Sequence, residues 1–365
     1  MPNRYGFSPQ SVAVVLGTRP EIIKLAQIIA LLGDAAHVIH TGQHYDRHLS
    51  DDLFADLHLA PPEVFLGTGG ERRGSQIGQG IQLLDEHFAL TNPLAVIVQG
   101  DTNSVVSGAI AANARNIFLC HVEAGLRSHD RTMPEEHNRV IADHLSDLCC
   151  APTYVALENL AVEGIDSDRV VMTGNTIVET VRNLIPTPDS RQAVVGSYGL
   201  EPGAFALATF HRPENVDHPE TLRTILTELA SLPVPVLFPI HPRTRASMER
   251  YGLSTLLDPA SLVEPIGYRD FLALQAECAV MISDSGGIAE EASILKRPLV
   301  VVRRSTERPE VMGTFAVRVS VGTDIGLNAL RFLEVGWHHL QTLPTPYGDG
   351  TASEQTLQAL AERLS

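Results

Sequence analysis

The stretch SVAVVLGTRPEIIKLAQIIALLG, residues 11–33, decides the fold class. It opens with a short valine-rich run, which predicts a buried strand, and after the turn GTRP apolar residues recur at helical spacing. Pro20 suits the first turn of that helix, and Gly33 suits its end. A buried strand, a tight turn and a helix form the repeating unit of an α/β protein.

The same alternation continues along the rest of the chain. Apolar runs predict further strands at residues 37–41, 94–98, 117–122, 170–174, 205–210, 234–240, 261–266, 278–283 and 298–302. Helices are expected between them: residues 46–57, a helix ending at Phe88 after a glycine-rich loop at 67–80, a helix from the cap Thr102 to Ala114, and residues 135–146. Short, continuous apolar strands separated by helices predict parallel sheets covered on both faces.

A segment rich in proline, glycine and serine divides the chain. It runs IPTPDSRQAVVGSYGLEPG, residues 185–203, and such a composition predicts a linker. We therefore expect two Rossmann-like, doubly wound parallel-sheet domains of the α/β class, at residues 1–186 and 187–352, with an inter-domain cleft.

Composition excludes several classes of partner. The chain has 27 Lys and Arg against 43 Asp and Glu, a net charge of −16, so we expect no nucleic-acid or membrane partner. No apolar run reaches the ~18 residues of a membrane span, and the first residues do not resemble a signal peptide. The cysteines lack zinc-site or redox spacing, which predicts buried, reduced thiols in a cytoplasmic protein: Cys120, Cys149, Cys150 and Cys278.

Polar residues follow the predicted strands at the point where each strand ends. In open α/β sheets ligands bind beyond the carboxyl ends of the strands, so we expect these residues to line one cleft. They are Arg19, Glu21 and Lys24; Asp101; the run from Glu123 to Glu136; and, in the second half, HRPEN (211–215), HPRTR (241–245), SDSGG (283–287) and RRSTERPE (303–310).

Three neighbouring strand ends carry carboxylates, at Asp101, Glu123 and Glu135 with Glu136. Clustered carboxylates repel one another, so one of them tends to hold a proton near neutral pH, which suggests acid–base chemistry. For Glu135 and Glu136 a solvated helix N-terminus is the alternative, because the helix dipole favours acids there.

The segment SDSGG predicts a phosphate site. Glycine lets the backbone approach a ligand closely, and free N–H groups at a helix start attract phosphate, although an ordinary strand–helix turn has the same sequence signature. His211 at a neighbouring strand end is interpreted as a phosphate partner or a proton carrier.

Several chemistries lack their motifs. Neither G-x-G-x-x-G after the first strand nor G-x-x-x-x-G-K-[ST] is present, which disfavours nicotinamide, flavin and P-loop nucleotide sites. No H-E-x-x-H and no G-x-S-x-G occurs, so we expect no metal and no covalent nucleophile.

Taken in order, these motifs resemble those of the non-hydrolysing UDP-N-acetylglucosamine 2-epimerase family. The matching segments are GTRPEIIK (17–24), TGQHYD (41–46), GDT (100–102), HVEAGLRS (121–128), MPEEHNR (133–139), TGNTIVET (173–180), HRPEN (211–215), HP (241–242), SDSGGIAEEA (283–292), STERPE (305–310) and PYGDG (346–350). The resemblance implies two Rossmann-like halves as in GT-B glycosyltransferases, a C-terminal helix at 353–365 that packs back on the N-terminal domain, and a homodimer.

The resemblance also implies roles for individual residues. Asp101, Glu123 and Glu135 would be the acid–base carboxylates, with Lys24 supporting the sugar site. The UDP group would be bound by Arg19, His211 and the backbone of Ser285, Gly286 and Gly287 at the diphosphate, by Glu291 at the ribose and by Phe271 at the uracil. Gln43, His44 and His241 match positions linked to allosteric regulation, but Asp46 replaces a glutamine of the regulated members, which disfavours activation by substrate.

The reaction implied interconverts UDP-GlcNAc and UDP-ManNAc by elimination and re-addition of UDP, and needs no cofactor. A hydrolysing 2-epimerase remains an alternative. So does a 2-epimerase of another UDP-sugar such as UDP-2,3-diacetamido-glucuronate, because Arg304 replaces the asparagine usual in the family. A GT-B glycosyltransferase and a sugar-nucleotide sensor are more distant alternatives.

Overall fold

The computed structural model describes residues 3–43 and 53–365. The chain forms two compact units. The first unit comprises the chain up to Asn183 together with Tyr347–Ser365, and the second unit comprises Leu184–Pro346. The sequence placed the boundary after residue 186 and the return of the chain at residue 353. The cleft between the two halves stays a prediction.

The first unit is built on a seven-stranded parallel sheet. Its strands are β1 (Val12–Leu16), β2 (Ala36–His40), β3 (Val64–Phe65), β4 (Ala95–Gln99), β5 (Phe118–Val122), β6 (Leu148–Ala151) and β7 (Val170–Met172). They lie in the order β3-β2-β1-β4-β5-β6-β7. The chain reverses its direction of travel across the sheet between β1 and β4, and such a reversal is where doubly wound sheets bind ligands.

Helices connect these strands: α1 (Arg19–Leu32), α2 (Arg73–Thr91), α3 (Asn103–Ala114), α4 (Pro134–Leu145), α5 (Tyr154–Val162), α6 (Ile177–Leu184) and, at the end of the chain, α14 (Ala352–Leu364). The sequence signals at three helix ends are confirmed. Pro20 lies in the first turn of α1, Gly33 ends it with a φ of 55°, and the Thr102 hydroxyl caps α3 by accepting from Val105 N–H. Helix α14 packs against α1.

The second unit repeats the plan with six parallel strands. These are β8 (Ala206–Thr209), β9 (Val236–Pro239), β10 (Leu262–Val263), β11 (Val280–Ser283), β12 (Leu299–Val302) and β13 (Ala316–Val319), in the order β10-β9-β8-β11-β12-β13. Its helices are α7 (Pro188–Ser197), α8 (Pro213–Val216), α9 (Pro219–Ala230), α10 (Pro242–Tyr251), α11 (Tyr268–Glu277), α12 (Gly286–Leu295) and α13 (Asp324–Val335). The equivalent reversal lies between β8 and β11. The predicted fold class, with two doubly wound parallel sheets, is confirmed.

The structure differs from the elements predicted from the sequence in three places. Helix α7 lies within the segment predicted to be a linker, and it packs against α11. Helix α2 begins at Arg73, inside the predicted loop at 67–80. Strands β3, β6 and β13 were not predicted. Of the helix expected at 46–57, residues 53–56 are helical and residues 46–52 lie outside the described part of the chain.

The inner strands of both sheets are mostly buried, as their apolar residues require. Every residue of β1, β2, β4, β6, β11 and β12 is buried. All four cysteines are buried, which confirms the burial predicted from the sequence. Among the described residues, no helix has both the length and the apolar character that a bilayer span requires.

Candidate active site

The loops after β1 and β4 meet at the reversal of the first sheet. Gly17 follows β1, and a Cβ placed on it would lie 2.1 Å from both Ser104 Oγ and Thr41 Oγ1. Because real Cβ atoms do not come that close to other atoms, this approach requires glycine. The start of α1, with Arg19 and Lys24, is therefore fixed against the start of α3.

Lys24 and Glu123 form a buried ion pair at this edge of the sheet. Lys24 Nζ lies 2.5 Å from Glu123 Oε2, and the two residues are 5% and 6% exposed. The same oxygen accepts from Gln99 Nε2 at 3.0 Å. Glu123 also has a φ of +68°, a left-handed conformation that costs non-glycine residues about 1–3 kcal/mol and is often found at functional sites. The carboxylate is thus held in one place by contacts and by backbone.

Asp101 follows β4 and remains partly open to solvent. Its Oδ2 lies 2.5 Å from Arg139 Nη2, and its side chain is 32% exposed. Asn138 Nδ2 donates to the Asp101 carbonyl at 2.8 Å. Arg139 Nη1 also pairs with Glu136 Oε2 at 2.6 Å, so one guanidinium joins the two carboxylates.

Adjacent glutamates at the start of α4 have different environments. Glu136 is buried and accepts from the backbone N–H groups of Ser128 and His129. Burial opposes its charge, but these hydrogen bonds, the Ser128 hydroxyl and Arg139 together lower its pKa. Glu135 is exposed, and its side chain has no hydrogen bond or ion pair within residues 3–43 and 53–365. Among the described residues, Glu135 is therefore not joined to Asp101 or Glu123 by hydrogen bonds or ion pairs.

His121 is a structural support that sequence reasoning did not identify. Its Nδ1 lies 2.6 Å from Asp143 Oδ1 and its Nε2 lies 2.8 Å from the Gly100 carbonyl. Burial opposes the charge of Asp143, but His121 and Arg127 outweigh it and lower the Asp143 pKa. The His121 ring therefore bridges the Asp143 carboxylate and the Gly100 carbonyl. His121 thus fixes the backbone that immediately precedes Asp101.

The residues predicted to be regulatory make local contacts. Gln43 Oε1 accepts from Ser104 N–H and from Ser104 Oγ, both at 3.0 Å, at the start of α3. His241 caps α10, its Nδ1 accepting from Arg243 N–H at 3.2 Å. His44 lies outside the described residues. A regulatory role for the three stays a prediction.

Asp284 organises the reversal of the second sheet. It is fully buried at the end of β11 and accepts from the backbone N–H groups of His211 and Arg212 and from Asn215 Nδ2. Burial opposes its charge, but the His211 contact and the other donors outweigh burial and lower its pKa. His211 Nδ1 lies 3.1 Å from Asp284 Oδ1 and therefore donates to it, which leaves Nε2 for a ligand.

The start of α12 offers unoccupied backbone donors. Ser285 is the N-cap residue and makes no side-chain cap bond. Within the described ranges, the N–H groups of Gly286 and Gly287 have no hydrogen-bond partner. A Cβ on Gly286 would lie 2.5 Å from Glu307 Oε1, whereas one on Gly287 would contact only Ser285 Oγ, at 3.9 Å. An anion can therefore approach the backbone at Gly287, as phosphates do at helix N-termini.

Glu291 is held in place before any ligand binds. Tyr268 OH donates to its Oε1 and Gln275 Nε2 donates to its Oε2, each at 2.7 Å. A carboxylate has about four acceptor sites, so both oxygens can still accept from hydroxyl groups. Phe271 lies half-buried on the same helix as Tyr268. The neighbouring Glu290 instead pairs with Arg308 Nε at 2.5 Å.

Across residues 3–43 and 53–365, no group of three or more His, Cys, Asp or Glu side chains is arranged to hold a metal ion.

Two Rossmann-like units, one with fixed carboxylates and one with an open helix start, define a GT-B-like enzyme of the α/β class. The sequence profile of the family described as UDP-N-acetylglucosamine 2-epimerase matches residues 33–361. The UDP-N-acetylglucosamine 2-epimerase of Methanocaldococcus jannaschii is 37% identical over 96% of this chain and 98% of its own.

A crystal structure of the Methanocaldococcus jannaschii enzyme in complex with UDP-GlcNAc and UDP has a TM-score of 0.87 at 35% identity, covering 96% of this chain and 99% of that one. The UDP-2,3-diacetamido-2,3-dideoxy-D-glucuronate 2-epimerase of Pseudomonas aeruginosa is 32% identical over 96% of this chain and 99% of its own. The chain belongs to the UDP-N-acetylglucosamine 2-epimerase family, which confirms the identification made from its motifs.

Proposed function

We propose that this protein is a non-hydrolysing 2-epimerase that interconverts UDP-GlcNAc and UDP-ManNAc. The observation that carries the proposal is the buried Lys24–Glu123 pair, at the ligand-binding edge of the first sheet, in a chain of the epimerase family.

The sugar chemistry explains why such residues are needed. Carbon 2 has no neighbouring carbonyl, so removing its proton alone is difficult. If UDP leaves carbon 1 as the proton leaves carbon 2, the products are UDP and a 2-acetamidoglucal. Return of a proton to the opposite face, with re-addition of UDP to carbon 1, inverts carbon 2. The sugar is neither oxidised nor reduced overall, so the proposal requires no cofactor.

We assign the proton transfers to Asp101, Glu123 and Glu135. Positioned carboxylates contribute about 10²–10⁴-fold to such reactions. Lys24 and Gln99 hold Glu123, and Arg139 holds Asp101, which fixes two of the three groups. The exposure of Glu135 leaves its carboxylate available to a substrate.

We assign the leaving diphosphate to His211, the backbone of Ser285, Gly286 and Gly287, and Arg19. Fixed positive charge and oriented N–H groups stabilise negative charge that develops as UDP departs. The open start of α12 and the His211 Nε2 support this assignment. Glu291 is assigned to the ribose hydroxyls and Phe271 to the uracil.

Solvent exchange tests the reaction. The purified protein is incubated with UDP-GlcNAc in heavy water and followed by NMR, with the Glu123→Gln variant as control. We expect deuterium at carbon 2 of both UDP-sugars in the wild type and at least ~10²-fold slower exchange in the variant. Hydrogen retained at carbon 2 of any UDP-ManNAc would exclude the mechanism. Free UDP accumulating with free ManNAc would indicate a hydrolysing enzyme. Sugar transfer that requires an acceptor, with no exchange at carbon 2, would indicate a glycosyltransferase.

A second substrate has specific support. The similarity to the Pseudomonas aeruginosa enzyme and the exposed Arg304, just after β12, favour a UDP-2,3-diacetamido-glucuronate, whose carboxylate an arginine can pair with. The two UDP-sugars are compared in the wild type and in Arg304→Asn. A preference for the glucuronate that falls in the variant would favour this substrate. If both proteins act only on UDP-GlcNAc, and at equal rates, UDP-GlcNAc is the favoured substrate.

We also propose that the protein is a cytoplasmic homodimer. The composition of the chain favours the location, and the family resemblance implies the dimer. Light scattering of the purified protein measures the mass directly, against 39.5 kDa for one chain.

A further inference from the structure

We propose that Glu21 is a positioning residue for the epimerisation, which clamps the loop after β1 to the loop after β4 and so sets Lys24 relative to Asp101. The inference rests on the proposed function, because the two loops carry residues assigned to that reaction.

The clamp consists of three hydrogen bonds to one buried carboxylate. Glu21 Oε2 accepts from Gly17 N–H at 3.0 Å and from Thr18 Oγ1 at 2.8 Å, both in the loop after β1. Glu21 Oε1 accepts from Thr102 Oγ1 at 2.8 Å, in the loop after β4. The residue is 1% exposed, so water does not replace these donors.

Thr102 extends the clamp to the start of α3. Its Oγ1 also accepts from Val105 N–H at 3.3 Å as the helix cap. One oxygen therefore accepts from the helix and donates its hydrogen to Glu21, which links α1 to α3 through two side chains. Asp101 immediately precedes Thr102, and Lys24 lies one turn after Glu21. A displacement of the clamp would move both.

The position of Glu21 in the first turn of α1 does not by itself explain why its carboxylate is buried. Acids in the first turn of a helix are favoured by the dipole when exposed, but burying one is costly unless it is paired. In the described part of the chain its hydrogen-bond partners are neutral, and the charged group that faces it from the other loop is Asp101. Burial has the largest influence on the pKa of Glu21 and raises it to about 7.

The three donors fit a charged Glu21. Gly17 N–H and both threonine hydroxyls can all donate to a carboxylate, whereas a protonated carboxyl presents one donor in place of an acceptor. We therefore expect the clamp to weaken as the pH falls through about 7.

Glu21→Gln tests the clamp, with Glu179→Gln as its matched control. Glu179 is also buried in the first unit, its pKa is raised by burial, and it accepts from Ser353 N–H at 2.8 Å and from the Ser353 hydroxyl, so it fastens α14 rather than the two loops. For Glu21→Gln we expect kcat to fall roughly 10–100-fold with KM for UDP-GlcNAc changed at most about threefold. For Glu179→Gln we expect both constants within about twofold of wild type.

A pH profile separates positioning from general destabilisation. The kcat/KM of the wild type should decline on the acid side with an ionisation near 7, and Glu21→Gln should lack that ionisation. Carbon-13 NMR of labelled glutamate in the ligand-free protein should show a carboxyl titrating near 7 that disappears in Glu21→Gln.

The outcomes are distinguishable. An inactive wild type in the exchange assay would overturn the proposed function, whereas an active wild type with normal kcat in Glu21→Gln would overturn this inference alone. If Glu21→Gln does not fold, Thr102→Val removes one arm of the clamp and Thr102→Ser keeps its hydroxyl. A kcat loss in the valine variant that serine restores supports the clamp, and equal loss in both contradicts it.

Discussion

The two sheets follow the same strand order. The helices that begin at the two reversals differ, however, in whether side chains accept hydrogen bonds from their first N–H groups. In the first unit the start of α3 is filled by the protein itself, because Thr102 accepts from Val105 N–H and Gln43 accepts from Ser104 N–H. In the second unit the start of α12 has no side-chain cap among the residues that the structure describes. One helix start is closed to anions and the other is open to them.

The charged groups follow the same division. Glu123 and Asp101 in the first unit have cations within 2.5 Å, and both follow strands at the sheet edge where open α/β sheets bind ligands. In the second unit the buried carboxylate of Asp284 holds the loop that carries His211. The same topology thus presents paired carboxylates in one unit and open backbone donors in the other, and the few residues after each strand decide which.

Replacing the carboxylates of the first unit should have its main effect on turnover. Glu123→Gln and Asp101→Asn should each lower kcat roughly 10²–10⁴-fold, with much smaller changes in KM, because an amide cannot transfer the proton. Steady-state kinetics with UDP-GlcNAc measures both constants. Wild-type rates in both variants would remove these residues from the acid–base set.

Removing the cation of the buried pair should cost stability. Lys24→Met leaves Glu123 buried without its charge partner, and breaking a buried pair costs about 3–5 kcal/mol of unfolding free energy. The double variant Lys24→Met/Glu123→Gln should recover part of that loss, because no charge is then left unpaired. Urea unfolding measures both, and a double variant no more stable than the single one would contradict this account.

Much of the fold could be predicted because strands and helix ends have local signals. The apolar run before Gly17 and the cap Thr102 suffice to place their elements. Strand β6, Leu148–Ala151, follows α4 after only two residues and lacks a clear turn signal. Helix α7 was missed because Thr187 and Pro188 were interpreted as linker composition, although together they form a helix start.

The site was harder to predict where neighbours in sequence differ in burial. Glu135 and Glu136 are adjacent glutamates in the same helical turn, so the sequence does not distinguish them. Arg139 and the loop at 128–129 nevertheless bury only Glu136. The burial of Glu21 likewise depends on Thr102, 81 residues away. Such differences arise from tertiary packing, which periodicity and motif spacing do not encode.

Anion binding at the start of α12 should respond less strongly to substitution than turnover does. Gly287→Ala adds a Cβ that meets the protein only at 3.9 Å, so the fold should tolerate it while the methyl group hinders an anion at the backbone. Losing a hydrogen bond to a charged group costs about 1.5–3 kcal/mol, so the UDP dissociation constant should rise roughly tenfold or more. Calorimetric titration with UDP measures this.

Gly196→Ala is the matched control for that variant. Gly196 lies in helix α7 of the same unit, and a Cβ there meets nothing within 4 Å. We expect unchanged UDP affinity for it. Equal weakening in the two variants would show that the effect does not arise at the start of α12.

The smallest effect concerns Asp284 and depends on pH. Its folded pKa lies below the unfolded value of about 3.9, so its charge stabilises the fold above that value, and the stabilisation is lost as the pH falls through the folded pKa. Asp284→Asn should lower the unfolding free energy by about 1 kcal/mol at pH 7, because the amide oxygen still accepts some of the hydrogen bonds. Unfolding curves from pH 7 to pH 3 should show the two proteins converging. A difference that is constant with pH would mean that shape rather than charge at Asp284 holds the His211 loop.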